Sequence, residues 1–294
     1  MGISEKYILN CVAKSIILYI MALLCISCPA FKRNPNLRLL LKEERYSLLN
    51  PRWTKSGWIY YIKSGELPIG DGDYGSGEIW RIKDNGEGNE AVFSDTVVIM
   101  DISPSETLLI TVYSGKLILF NVKTAQTEIL TTTFPPNDIG LRFGSSDAFI
   151  YYTADDGLHR RNIYTENDTV IVSGINYFDI YQDSLIYYSQ KILDMSTGAV
   201  VYESPDLMKG FFTQNKDSLL LVAERRYGLQ LYDTKTGEKF ELDARPYKIT
   251  VWAASGNCID FNPSDSKQII FCAVRSCEEG FLEGGFELWI LEEF

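Results

Sequence analysis

A single histidine serves the whole chain, so chemistry that needs two or three imidazoles around a metal cannot be built here. That residue heads the run His159-Arg160-Arg161, and a second arginine pair stands at Arg225-Arg226. Paired guanidiniums clamp a carboxylate or phosphate bidentately, though in so acidic a chain salt bridging is their commoner use. For His159 to act as a general base it needs a nucleophile and an orienting acid close in space. No G-x-S-x-G elbow, phosphate loop or dinucleotide-binding glycine pattern is present, which argues against serine hydrolase and nucleotide-handling chemistry.

Carboxylates are the plentiful reagent, and two glycine-rich stretches concentrate them. Residues 64–77 read SGELPIGDGDYGSG and residues 275–285 read RSCEEGFLEGG. With the following strand they carry Glu66, Asp71, Asp73 and Glu78 on one side and Glu278, Glu279 and Glu283 on the other. Such a lobe suits a cation or a basic protein surface, and a solvated acidic loop is its plain alternative. Asp71-Gly72-Asp73 places two carboxylates two residues apart around a glycine bend, a spacing that suits calcium. The third Asp and the terminal bidentate Glu of a full calcium loop are missing, and no other cofactor is expected. Cys258, Cys272 and Cys277 are the cysteines of the later chain. Counting outward from a turn near Asp265 sets Cys258 opposite Cys272 as the expected disulfide, with Cys272–Cys277 the alternative.

Composition narrows the partners. The chain has 294 residues, 46% of them apolar, and a net charge of −11. The apolar share permits a sizeable core, while the acidic balance argues against nucleic-acid binding. At the N-terminus, Lys6 and Lys14 precede a ten-residue apolar run from Ser15 to Leu24. That run is too short to cross about 30 Å of hydrocarbon and fits an export signal over residues 1–27. Ser27-Cys28 at its end resembles the lipobox of bacterial lipoproteins, with Cys25 where Leu is usual three positions earlier. The resemblance implies a lipid on Cys28, a tether over residues 28–36, and a membrane-anchored, extracytoplasmic address, with an uncleaved membrane anchor and simple secretion as the alternatives. An exported address also permits the disulfide.

Residues 37–294 show no sustained helical periodicity. One unit instead recurs six times: a short strand, a polar turn, an apolar strand, then a second hairpin. Repeat one begins at Pro51 (PRWTKSGWIYYI) and repeat two at Met100 (MDISPSETLLITV). Repeats three and four begin at Leu141 (LRFGSSDAFIYYTA) and Phe178 (FDIYQDSLIYYS). Repeats five and six begin at Phe211 (FFTQNKDSLLLVAE) and Ile259 (IDFNPSDSKQIIFCAV). Six units of about 43 residues match the period of a four-stranded propeller blade. The expected fold is all-β: a six-bladed β-propeller of four-stranded antiparallel blades. The chain stops after FELWIL, one strand short, so the segment from Leu37 to Leu49 is expected to supply the missing strand and close the ring. Closure makes repeats one and six neighbours and brings the two acidic loops to one rim. One member of each pair Tyr60-Tyr61, Tyr151-Tyr152 and Tyr187-Tyr188 is expected to face the packing between blades.

The turn Asn262-Pro263-Ser264-Asp265 followed by an apolar strand and a G-x-E-[IL]-W strand resembles the TolB-type repeats of bacterial envelope propellers. The resemblance covers nearly the whole chain past the tether and implies a monomeric envelope propeller, without implying an activity. The expected role is a non-enzymatic binding or scaffold module with a protein partner at the rim of repeats one and six. The competing expectation is a carbohydrate- or peptide-active enzyme using Asp or Glu in the channel.

Overall fold

Short β-branched and aromatic runs between polar turns fold as short antiparallel strands, and all regular structure among the described residues is β. The computed structural model describes residues 34–292 except 44–45, 66–75, 132–139, 176, 204–211, 213–219, 226–227, 234–235, 244–246, 250–258, 266 and 276–286. Strand β1 (Leu37–Leu41) stands apart in sequence from the sheet that follows. That sheet runs in chain order through β2 (Ser47–Trp53), β3 (Trp58–Ser64), β4 (Gly77–Lys83), β5 (Glu90–Ile102), β6 (Leu108–Tyr113), β7 (Lys116–Asn121) and β8 (Thr127–Thr131). It has seven strands because β5 serves twice. Its first half pairs with β4 and its second with β6, with a register shift between Val97 and Met100.

The next two sheets are four-stranded and antiparallel in simple order. They are β9 (Leu141–Phe143), β10 (Phe149–Ala154), β11 (Gly157–Asn162) and β12 (Asp168–Ser173), then β13 (Asp179–Tyr181), β14 (Leu185–Tyr188), β15 (Lys191–Asp194) and β16 (Val200–Glu203). A three-stranded sheet follows: β17 (Leu220–Arg225), β18 (Gly228–Asp233) and β19 (Lys239–Asp243). The last sheet combines β20 (Tyr247–Ile249), β21 (Ile259–Phe261), β22 (Gln268–Arg275) and β23 (Glu287–Glu292) with β1.

The N-terminal strand pairs with the C-terminal one as expected, Leu37 opposite Leu291 and Leu39 opposite Trp289. The expected segment is too long, however. Only Leu37–Leu41 joins β23, while Ser47–Leu49 belongs to β2 and pairs with β3. Asn34 and Asn36 mark the entry: Leu37 N–H donates to Asn34 O at 3.2 Å, and Glu292 N–H to Asn36 O at 2.9 Å.

Each sheet is apolar on both faces, because each packs against a sheet on either side. The tyrosine pairs record this. Tyr61 packs with Trp53, Ile270 and Ile290, joining repeat one to repeat six, while Tyr60 packs with Val97 and with Met100 and Leu109 of repeat two. Tyr152 and Tyr151 divide in the same way between repeats two and four. The expectation of one core-facing member per pair is corrected: both members of Tyr60-Tyr61 and of Tyr151-Tyr152 are buried, and Tyr187 is buried beside a half-buried Tyr188 that packs into a different cluster, since successive strand residues point to opposite, covered faces. Each such side chain contributes roughly 1.5–3 kcal/mol by leaving water.

Turn chemistry follows the local sequence. Ser114-Gly115 between β6 and β7 adopts positive φ at both positions, the conformation a two-residue hairpin needs. In the outer hairpins Asn121, Asn162 and Asp194 each accept two backbone N–H groups from the residues two and three ahead.

Candidate functional site

The first strands of the repeats meet around one cavity of about 530 Å³. Five charged residues on its wall hold one position of the repeat: Arg52, Asp101, Arg142, Asp179 and Asp260. Arg52 is placed by a bulge. Asn50 takes φ 52°, which Asn tolerates better than most residues, and Pro51 cannot donate to the ladder. The register therefore shifts between Leu49 and Arg52, and Asn50 is tied by its Nδ2–H to Met100 O at 3.0 Å.

These residues form a charged belt that joins repeat to repeat. Arg52 Nε donates to Asp101 Oδ1 at 2.9 Å, and Asp101 Oδ2 accepts the Phe143 N–H at 2.7 Å. Arg142 lies between two carboxylates, with Nε 2.9 Å from Asp179 Oδ1 and Nη1 3.7 Å from Asp101 Oδ1. Asp179 Oδ2 accepts the Phe212 N–H at 2.7 Å, and Asp260 Oδ2 accepts the Trp53 N–H at 2.7 Å. Burial pulls the Arg52 guanidinium below its ordinary pKa, helped by Arg142 and opposed by Asp101. Burial acts on Arg142 too, but Asp179 and Asp101 outweigh it and hold that group above its ordinary value. The Asp260 carboxyl is pushed up to about 6, because burial outweighs the attraction of Arg52 and Arg142.

A second tier links the turns above the belt. Ser56 N–H donates to Glu106 at 2.9 Å, Ser105 N–H to Asp147 at 3.0 Å and Ser145 N–H to Asp183 at 3.1 Å. Each of these serines also donates its hydroxyl to the same carboxylate. Gly144 allows the third link: a Cβ there would sit 2.4 Å from Asp183 Oδ1.

The residues singled out from the sequence are mostly elsewhere. Cys28, Glu66, Asp71, Asp73, Cys258, Cys277, Glu278, Glu279 and Glu283 lie outside the described residues. Glu78 is described, and its Oε2 accepts the Trp80 Nε1–H at 2.9 Å. The same contact recurs between Glu287 and Trp289 at 3.0 Å, so this glutamate braces a tryptophan two residues on. Lys63 stacks over the Trp80 and Tyr46 rings, 4.3 Å from each centroid, and pairs with Glu43 at 2.5 Å. Cys272 is buried in β22. Among the described residues no group of three His, Cys, Asp or Glu side chains is arranged to hold a metal.

His159 has orienting acids on both sides. Nδ1 is 3.0 Å from Asp168 Oδ1, Nε2 is 2.6 Å from Asp156 Oδ1, and the ring stacks on Tyr152 with centroids 5.0 Å apart. Burial lowers its pKa, yet the two carboxylates outweigh that and hold it above the usual imidazole value. Arg160 stacks on Phe149 at 3.9 Å and Arg161 approaches Asp168 at 3.8 Å, so both arginines serve the sheet's own packing and pairing. Arg225 ends β17, and Arg226 lies outside the described residues.

The belt itself was not singled out from the sequence, although a signal exists. Aligned on the repeat, Pro51-Arg52-Trp53, Met100-Asp101-Ile102, Leu141-Arg142-Phe143, Phe178-Asp179-Ile180 and Ile259-Asp260-Phe261 carry a charge at the middle position of an otherwise apolar strand. A charge at one register of a buried repeat needs a partner, and alternation of sign from repeat to repeat names it.

No protein-family model and no curated protein matches the chain. Solved structures do. An oligogalacturonate lyase from Vibrio parahaemolyticus is similar at TM-score 0.55 and 9% identity, over 86% of this chain and 92% of that one. An oligogalacturonate lyase in complex with manganese follows at TM-score 0.52 and 11% identity, over 88% and 93%. A chain of a nidogen/laminin complex matches at TM-score 0.53 and 10% identity, over 69% and 82%. The fold is a β-propeller. At such identities the likeness extends to the fold alone, and propellers carry both enzymes and binding proteins.

Proposed function

We propose that this propeller is a six-bladed binding and scaffold module, lipid-tethered through Cys28 in the bacterial envelope, with its contact surface on the rim of repeats one and six. The observation that carries the binding reading is the commitment of Asp101 and Asp179, two of the cavity's carboxylates. A carboxylate-based hydrolase or lyase needs one carboxyl held as an acid and a second free as base or nucleophile. Asp101 and Asp179 each give one oxygen to an arginine and the other to a backbone N–H, which makes them struts between repeats.

Six closed blades are supported by the β1–β23 ladder and by the apolar cluster in which Trp53, Ile59 and Tyr61 pack against Ile270, Cys272 and Leu288. The same contact supports the rim. The connections after Ser64 and after Arg275, which carry the acidic residues, leave neighbouring sheets. Their excess of carboxylates suits a basic protein surface, with calcium at Asp71 and Asp73 a further part of the proposal. Cys258–Cys272 remains the proposed disulfide, and the TolB-type repeat is the proposed relationship. A second reading, a carboxylate-using enzyme, draws on Asp260, whose raised pKa suits a general acid.

The test is a pull-down from envelope extract, with wild-type protein compared with a variant in which residues 65–76 and 276–286 are replaced by short turns. Loss of a specific partner on replacement supports the rim. Retention of that partner removes it.

A further inference from the structure

The belt obeys one pairing rule in repeats two and four and breaks it in repeat six. Asp101 and Asp179 use their oxygens alike: Oδ2 accepts the next repeat's N–H at 2.7 Å, and Oδ1 accepts the preceding repeat's arginine Nε–H at 2.9 Å. Asp260 keeps the first half of the rule through the Trp53 N–H. The second half fails in the sequence. Arg52 precedes Trp53 and Arg142 precedes Phe143, but the residue before Phe212 is Phe211, which has no charge to give. Among the described residues Asp260 Oδ1 has no hydrogen-bond partner, and Asp260 lines the cavity. Within the belt, two guanidiniums therefore face three carboxylates.

We propose that the cavity receives the guanidinium of an arginine side chain from a partner protein, held by Asp260 Oδ1 in the place where repeats two and four hold arginines of their own. Such a group brings the belt to three charges of each sign. Carboxylate and guanidinium then match in the geometry the molecule already uses twice. Tyr181 and Phe212, which also line the cavity, supply aromatic surface of the kind on which a guanidinium stacks. The proposal rests on the reading of the chain as a binding propeller, but it does not depend on the rim loops.

The probe is Nα-acetyl-L-arginine methylamide, titrated calorimetrically into the full-length protein at neutral pH. Its uncharged isostere, the citrulline derivative, is the control. The arginine derivative is expected to bind at least tenfold more tightly than the citrulline one. Asp260→Asn should lose that preference. Phe211→Arg, which restores in sequence the arginine of the aligned repeats, should abolish binding and raise Tm, whereas Phe211→Leu should leave binding intact. Equal affinity for the two derivatives, no binding of either, or undiminished binding to folded Phe211→Arg would overturn the site. Loop replacement should leave the titration unchanged, so failure of the rim and failure of this site are separate results.

Discussion

Repeats two and six present the same aspartate at the same strand position and treat it differently. Asp101 is buried between Arg52 and Arg142, with both oxygens engaged. Asp260 has one backbone donor and only distant attraction from the same two arginines, and its carboxyl resists ionisation up to about 6. At the aligned position of the preceding repeat the sequence has Arg52 for Asp101 and an uncharged residue, Phe211, for Asp260. A repeat architecture thus carries its own control experiment: where five copies of a position obey a charge rule, the sixth marks where the rule was relaxed.

The comparison is broken most severely by removing a cation from the complete side. Arg142→Ala leaves Asp179 and Asp101 short of their shared partner in a buried setting, and should cost about 3–5 kcal/mol. Differential scanning calorimetry should register a fall in Tm on the order of 10 °C. Removing the negative charge on the incomplete side should do far less. Asp260→Asn keeps an acceptor for the Trp53 N–H and should stay within about 1 kcal/mol of wild type. A loss as large as that of Arg142→Ala would mean that Asp260 is a strut like the others.

The difference sharpens with pH. An acid whose folded-state pKa is raised adds stability that is full below the ordinary carboxylate range and is lost as pH rises through the folded value. For Asp260 that window runs from about 4 to about 6. The groups facing it are Arg52, Arg142 and Asp101. Wild-type Tm should therefore fall relative to Asp260→Asn as pH is raised across this window. His159 works in the same direction at higher pH. With its folded pKa raised, its contribution is full below the usual imidazole range and is lost as pH rises through the folded value. His159→Gln should remove that later component from a Tm-against-pH series. The smallest effect belongs to the turn tier: Glu106→Gln, at a partly exposed link to Ser56, should cost less than about 1 kcal/mol.

The local elements were legible because their causes are local. Ser114-Gly115 names its hairpin through the positive φ it tolerates, and the apolar run around Tyr60-Tyr61 reads directly as a buried strand. The pairing of Leu37–Leu41 with FELWIL was also legible, since a repeat one strand short and an orphan apolar strand need each other. The end of that strand was not, because Leu48 and Leu49 are as apolar as Leu40 and only the ladder assigns them. The belt escaped for a different reason. Arg52 and Asp101 are 49 residues apart, and their pairing shows only when the repeats are aligned, not in the local pattern of either strand. Glu78 shows the converse: among acidic neighbours it reads as part of a binding lobe, yet its carboxylate is spent on Trp80.

The ladder between β1 and β23 has a consequence in time. Arg38 and Glu292, an ion pair across it at 2.5 Å, are 254 residues apart in the chain. At about 5–20 residues per second of synthesis, the first strand waits on the order of tens of seconds for the last. Throughout that interval Leu37 and Leu40, buried in the finished molecule, have no native strand to lie against. The contact between β1 and β23 therefore cannot form before β23 is synthesised, and the nascent chain carries an adhesive strand until then.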